Sequence, residues 1–112
     1  MAKRKHSDLV NACLEVLRLR GCVAYKVQSG KVITKWNTAV DLAPEGTADI
    51  TACLPGGRYA AIECKLDSDR LSKVQANFMD SIRLRGGIYL AVWNTVDDLL
   101  TALEAWGVKW KR

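Results

Sequence analysis

Asp49, Glu63 and Lys65 are the residues of this chain whose types and spacing could do chemistry together. They lie on a stretch from Gly46 to Lys65 that reads as two alternating runs joined by Pro55-Gly56-Gly57. With period 2, Asp49, Thr51 and Cys53 share one face of the first run, and Ile50, Ala52 and Leu54 share the other. In the second run, Tyr59, Ala61, Glu63 and Lys65 face away from Ala60, Ile62 and Cys64. If residues 55–57 form a hairpin loop, Asp49 stands opposite Glu63 and the apolar faces coincide.

Two carboxylates held that close repel each other, which raises at least one pKa unless something positive sits between them. Mg²⁺ or Mn²⁺ would fill that place, because such hard cations take carboxylate, carbonyl and water oxygens and leave positions for phosphate. Lys65 could then orient or help deprotonate an attacking water and stabilise charge on the phosphate. The chemistry implied is metal-assisted hydrolysis of a phosphodiester. A plainer reading makes Glu63 and Lys65 a solvated strand face and Asp49 a strand start. A bare E-x-K triplet does not choose between them.

Gly46-x-x-Asp49, a hairpin, Glu63-x-Lys65 and then Ser72-x-x-Gln75 resemble the PD-(D/E)XK nuclease superfamily, and within it the VRR-NUC domains. The likeness spans nearly the whole chain, although Ala48 stands where that superfamily has proline before the aspartate. The resemblance implies a restriction-endonuclease-like α/β fold, an αβββαβ core with a central mixed sheet flanked by helices. It implies that Asp49, Glu63 and the backbone carbonyl of Cys64 hold the metal, with Lys65 and Gln75 catalytic. It places His6 where many such domains carry a first-helix glutamate. His6 is thus a candidate ligand or phosphate contact, or else a half-exposed surface residue. Lys26, Gln28 and Lys31 become candidate DNA contacts, with Lys26 equally readable as an exposed strand lysine. The implied substrate is branched DNA, a Holliday junction or flap, cut by a homodimer whose two sites are related by symmetry.

The chain of 112 residues suits one domain, residues 1–112, able to bury about two thirds of its unfolded surface. No apolar run approaches the roughly 20 residues that span a bilayer, and no signal-peptide core follows Met1-Ala2-Lys3-Arg4-Lys5. A cytoplasmic protein without membrane contact is expected. Seventeen basic against twelve acidic residues give a net charge of +5, with basic clusters at Lys3-Arg4-Lys5 and Lys109-Trp110-Lys111-Arg112. Such clusters bind phosphate backbones through counterion release, or simply fray and solubilise. Cys13, Cys22, Cys53 and Cys64 show no C-x-x-C spacing and His6 is the sole histidine, which argues for reduced core thiols against a zinc site or disulfide scaffold.

The elements that must position these residues follow from periodicity. Residues 7–20 read as an amphipathic helix opened by Ser7 or Asp8, with Leu9, Ala12, Cys13, Val16 and Leu17 buried and Gly21 ending it. At roughly 100° per residue, His6 lies about 60° from Leu9, whereas Glu15, the fallback acid, lies about 240° away on the outer face. Residues 22–28 and 31–36 read as a strand pair turning at Ser29-Gly30, with Val23, Tyr25 and Val27 half-buried. Residues 37–47 read as a loop whose Asp41 and Glu45 are solvated. A helix is expected from about Lys73 to Arg85, with Val74, Phe78, Met79 and Ile82 on its core face. Ser72-x-x-Gln75 is also a capping box, so two roles compete for the Gln75 side chain. Ile88–Trp93 reads as an internal strand, and Thr95 can cap a last helix through about Trp106. Trp36, Trp93, Trp106 and Trp110 could stack on bases or mark a subunit contact, but tryptophans mostly fill cores, with Trp110 in the basic tail the exception.

No phosphate-binding loop and no serine-nucleophile elbow is present, so nothing supports ATP-driven or serine-based chemistry. The reading is a metal-dependent, structure-selective DNA endonuclease. The alternatives are a non-catalytic DNA-binding module of the same fold and a restriction-type enzyme with one fixed cutting sequence.

Overall fold

The computed structural model describes residues 5–108, in the order α1 (His6–Leu19), β1 (Val23–Lys26), β2 (Lys31–Ile33), β3 (Ala39–Asp41), β4 (Ile50–Cys53), β5 (Tyr59–Lys65), α2 (Lys73–Leu84), β6 (Ile88–Trp93) and α3 (Asp97–Ala105). The basic termini and Trp110 lie outside these residues. Four strands form a mixed sheet in the order β1-β4-β5-β6, and β2 and β3 form a separate ribbon. The β4–β5 pair is the expected hairpin, antiparallel with Ile50 opposite Ile62 and Cys53 opposite Tyr59. One more step along that register sets Asp49 opposite Glu63.

The main core fills one side of the sheet. Leu9, Val10, Cys13, Leu14 and Leu17 of α1 and Leu99 and Leu103 of α3 pack there on Ile50, Ile62, Cys64 and Val92. The opposite side carries α2 and a smaller cluster of Ala48, Ala61 and Tyr89, against which Met79 and Ile82 rest. That covering is partial, because Val23 and Tyr25 on β1 and Tyr59 on β5 remain exposed. The strand β1 therefore buries Ala24 and exposes the face expected to be half-buried. A small residue suffices under α1, and among the described residues no helix covers Val23 and Tyr25.

Several expectations need correction. Residues 22–28 do not pair with 31–36: β1 takes β4 as its antiparallel neighbour, and β2 pairs with β3, a strand inside the stretch expected to be loop. The turn at Ser29-Gly30, with Gly30 at φ 91°, sends the chain out of the sheet, and a Ser29–Ala43 bridge closes the excursion. The strand β6 is an edge, not internal; it is a nearly continuous apolar run because it lies parallel to β5 after a helical crossover, with helices over both faces. An arginine occupies a carbonyl on each outer strand. Arg18 donates twice to the Ala24 carbonyl (3.2 and 2.9 Å) and Arg83 once to that of Tyr89 (3.1 Å).

The first helix begins at His6 with Lys5 at its N-cap and no side-chain cap, so neither Ser7 nor Asp8 opens it. His6 is instead fixed by tertiary contacts. Thr95 Oγ1 accepts the Asp97 amide (3.3 Å), but the N-cap of α3 is Val96, without a side-chain cap. Val74 is 43% exposed, not core, and Trp36 is exposed as well, whereas Trp106 packs against the core. All four cysteines are free, with Cys13, Cys22 and Cys64 buried and Cys53 exposed. Among the described residues no helix is long and apolar enough to cross a membrane.

Gly46 sets the seat of α2. It adopts φ 89°, and a Cβ built there would lie 2.8 Å from the Val74 carbonyl oxygen, so the chain leading to Asp49 touches the first turn of α2 through bare backbone. Gly56, at φ 96°, has open space around it. Gly46→Ala should lower stability by at least about 2 kcal/mol through strain and collision together, and Gly56→Ala by about 1 kcal/mol through backbone strain alone. Urea midpoints of the two variants measure the difference, and equal midpoints would contradict the packing role.

Candidate active site

The site forms where β5 outruns β4. The β4 ladder begins at Ile50 while β5 continues to Lys65, so the Cys64 main chain has no β4 partner on that side. Asp49 takes the place of a strand there: its Oδ2 accepts the Cys64 N–H at 2.8 Å. His6 reaches the same point from the start of α1, with Nε2 3.2 Å from Asp49 Oδ2 and 3.1 Å from the Cys64 carbonyl oxygen. A carbonyl only accepts, so Nε2 carries a hydrogen in this arrangement and acts as donor.

Glu63 stands beside Asp49 at 3% exposure, and no hydrogen-bond partner reaches its Oε2 among the described residues. Burial pushes its carboxyl up to about 8, helped by the Asp49 charge and a hydrogen bond with the Asp49 carboxyl. Lys65 and the Asp49 main chain pull it partly back. Glu63 therefore keeps its proton at neutral pH in the metal-free protein.

Gln75 does not have to choose between its two roles. Its Oε1 accepts the Ser72 amide (2.9 Å) and its backbone N–H donates to Ser72 Oγ (3.1 Å), completing the capping box. The other end of the same amide, Nε2, points at Glu63 Oε1 at 3.4 Å. The first turn of α2 therefore holds the buried carboxylate with the atom that the cap does not need.

Tyr89 is a neighbour that sequence reasoning missed. It is 3% exposed on β6, its hydroxyl has no partner among the described residues, and burial together with the Glu63 and Asp49 charges pushes its phenol up. Its place within an apolar run gave no signal of a role near acids. A cleft of about 360 Å³ opens beside Asp49, lined by His6, Ser7, Val10, Lys26, Val27 and Gln28. Lys26 and Gln28 thus face the same cleft as Asp49. Lys31 does not: it sits on β2, paired with Asp41 at 3.4 Å. Glu15 is exposed on α1, and Glu45 borders a separate depression beside Val74.

The donor set suits a hard divalent cation. Two carboxylates, one with an orphaned buried oxygen, stand next to a carbonyl outside the sheet ladder, all oxygen donors. No three His, Cys, Asp or Glu side chains form a metal cage among the described residues, so water would complete the coordination. His6 Nε2 converges with the Asp49 carboxylate and the Cys64 carbonyl on one point, the position that a ligand or phosphate contact from the first helix would take.

The architecture is thus a mixed sheet with helices on both faces and paired acids at the end of a central hairpin. A solved structure described as "VRR_NUC domain" matches the chain with a TM-score of 0.66 at 16% identity, covering 91% of this chain and 97% of that one. The chain therefore has the fold of that VRR_NUC domain. No protein-family model matches the sequence, and no curated protein matches it.

The state of Glu63 gives stability a pH dependence. Because its folded pKa is raised above the ordinary 4.5, its favourable contribution is complete below that value and fades as pH climbs through about 8. Metal-free protein should lose thermal stability between pH 5 and about 8.5, and Glu63→Gln should flatten that decline. Melting curves in EDTA across the range test this; an unchanged slope in the variant would rule it out.

Proposed function

We propose that this chain is a metal-dependent endonuclease that hydrolyses phosphodiester bonds in DNA. The observation that supports it most is the meeting of Asp49, Glu63 and the Cys64 carbonyl at one strand end, with Lys65 two residues beyond Glu63 on the same strand face. Asp49 and Glu63 would hold Mg²⁺ or Mn²⁺ with the Cys64 carbonyl. The bound cation would supply Lewis acidity toward phosphate and water.

The residues of the chain do the rest. Lys65 orients the attacking water and, as an ammonium, offsets charge gathering on the phosphate. Gln75 keeps Glu63 aimed without adding negative charge. Lys26 and Gln28, on the cleft wall beside Asp49, grip the phosphate backbone. His6 Nε2, which contacts Asp49 Oδ2 and the Cys64 carbonyl, would join the ligand set as a neutral imidazole or contact the phosphate.

Branched DNA, a junction or flap, is the proposed substrate, and a homodimer the proposed form, since two sites related by symmetry can cut both strands of a junction. A second reading, a DNA-binding module without turnover, draws on one observation: a histidine, not a carboxylate, meets the acids from the first helix. Binding to DNA without cleavage in either cation would favour it. A fixed cutting sequence on linear duplex would favour a restriction-type enzyme instead.

Lys65→Ala should reduce cleavage of labelled flap and four-way DNA by at least about 100-fold while leaving affinity within about threefold. Full activity in that variant would refute the assignment. Mn²⁺ should also raise the melting temperature more at pH 8.5 than at pH 6, because the cation would have to displace the proton held by Glu63. Calorimetry of wild type and Asp49→Asn at the two pH values measures this, and an equal shift in both proteins would contradict the assigned ligands.

A further inference from the structure

The ribbon β2–β3 pairs with no strand of the central sheet. Two strands of three residues are marginal in water by themselves, yet this arm is ordered at both ends. At its root, Gly30 N–H donates to the Ala43 carbonyl (3.0 Å), Leu42 N–H to that of Gly30 (2.8 Å) and Ala43 N–H to that of Gln28 (3.2 Å). At its tip, Thr34 N–H donates to the Thr38 carbonyl (2.9 Å), and the Thr34 hydroxyl accepts the amides of Trp36 (3.3 Å) and Thr38 (3.2 Å). Asn37 completes the turn at φ 60°.

That turn holds Trp36 outward at 75% exposure. The Lys35 ammonium lies 4.6 Å from the ring centroid, so a cation occupies one side of the indole. A threonine hydroxyl and a left-handed asparagine thus fix a large aromatic ring that contributes nothing to the core. Every charged residue on the outgoing path from Lys26 to Trp36 is a lysine, namely Lys26, Lys31 and Lys35. The acid on the return strand, Asp41, is paired with Lys31.

The arm is rooted at the candidate active site. Val27 N–H donates to the Asp49 carbonyl at 2.8 Å, and Lys26, Val27 and Gln28 line the cleft that Asp49 borders. We infer that the β2–β3 arm is a nucleic-acid contact in which Trp36 stacks on an unpaired base while Lys26 and Lys35 meet flanking phosphates. The inference rests on the nuclease reading and supplies what that reading lacks, a feature able to distinguish unpaired from paired DNA. Base stacking on an aromatic platform is tolerant of sequence, and a fully paired duplex offers no free base face. From Val27, which is bonded to Asp49, to Trp36, nine residues at roughly 3.3 Å each reach at most about 30 Å. At roughly 3.4 Å per nucleotide along a strand, the stacked base lies no more than about nine nucleotides from the phosphate at Asp49.

The test compares wild type, Trp36→Ala and Trp36→Phe by fluorescence anisotropy in EDTA, on a labelled flap and on a fully paired duplex. Sedimentation velocity of each protein accompanies it. Trp36→Ala should weaken flap binding about tenfold and duplex binding less than about twofold, with Trp36→Phe recovering most of the loss and sedimentation unchanged. Equal flap binding by wild type and Trp36→Ala overturns the inference. So does a weakened flap complex accompanied by a change from dimer to monomer, which would assign this surface to a second copy of the chain. Cleavage in Mn²⁺ is read on the same DNA: binding that depends on Trp36 without any cleavage overturns the nuclease reading and leaves the arm standing. Intact cleavage with binding independent of Trp36 does the reverse, and no wild-type binding at all overturns both.

Discussion

The hydrogen bond from the Cys64 amide to Asp49 Oδ2 is the contact on which the rest of the site depends. A strand end normally leaves main-chain groups to water. Here β5 runs past the start of β4, and a carboxylate serves as the missing partner. That one contact fixes Asp49, brings it against Glu63, and leaves the Cys64 carbonyl on the same side for His6 or a cation. Slipping the β4–β5 register by one residue would turn Asp49 to the opposite face of the sheet and bury it among the leucines of α1.

The arrangement has a cost that the surrounding structure absorbs. Glu63 is buried against a like charge, which raises its pKa toward neutrality. The fold answers with partial compensation: Gln75 from α2, Lys65 two residues on, and the Asp49 main chain. None of these removes the repulsion completely, and Glu63 Oε2 stays without a partner among the described residues. An incompletely satisfied buried acid is a poor stabilising device and a suitable place for a cation, so the residual frustration is itself a reason to look for function there.

The two sides of the sheet divide the work. The side under α1 and α3 holds the larger apolar cluster and makes the hairpin rigid. The other side is only partly roofed by α2, leaving Val23, Tyr25 and Tyr59 open, while the β2–β3 arm leaves the sheet next to Asp49. A site at the margin of a rigid sheet, beside an open face and an arm, has the access that a long polymeric substrate requires. Gly46 belongs to this division, since its close approach to Val74 seats the helix that carries Gln75.

The sequence by itself determined the hairpin, its register and the acids that meet across it, because the Pro55-Gly56-Gly57 turn sets Asp49 and Thr51 on the face of Glu63 and Ile50 and Ala52 on the face of Ile62 and Cys64. It also determined the helices α1, α2 and α3, whose apolar stripes have helical spacing. It could not determine that β1 would choose β4 over β2, since local alternation says which face is buried and nothing about which neighbour supplies the hydrogen bonds. Nor could it show that β6 is an edge, that Val74 and Trp36 are exposed, or that one amide serves both a helix cap and Glu63. Only the tertiary structure decided those, because each depends on what lies across space from a residue: an open sheet face beside Val23, a turn holding out Trp36, and a helix seated on Gly46.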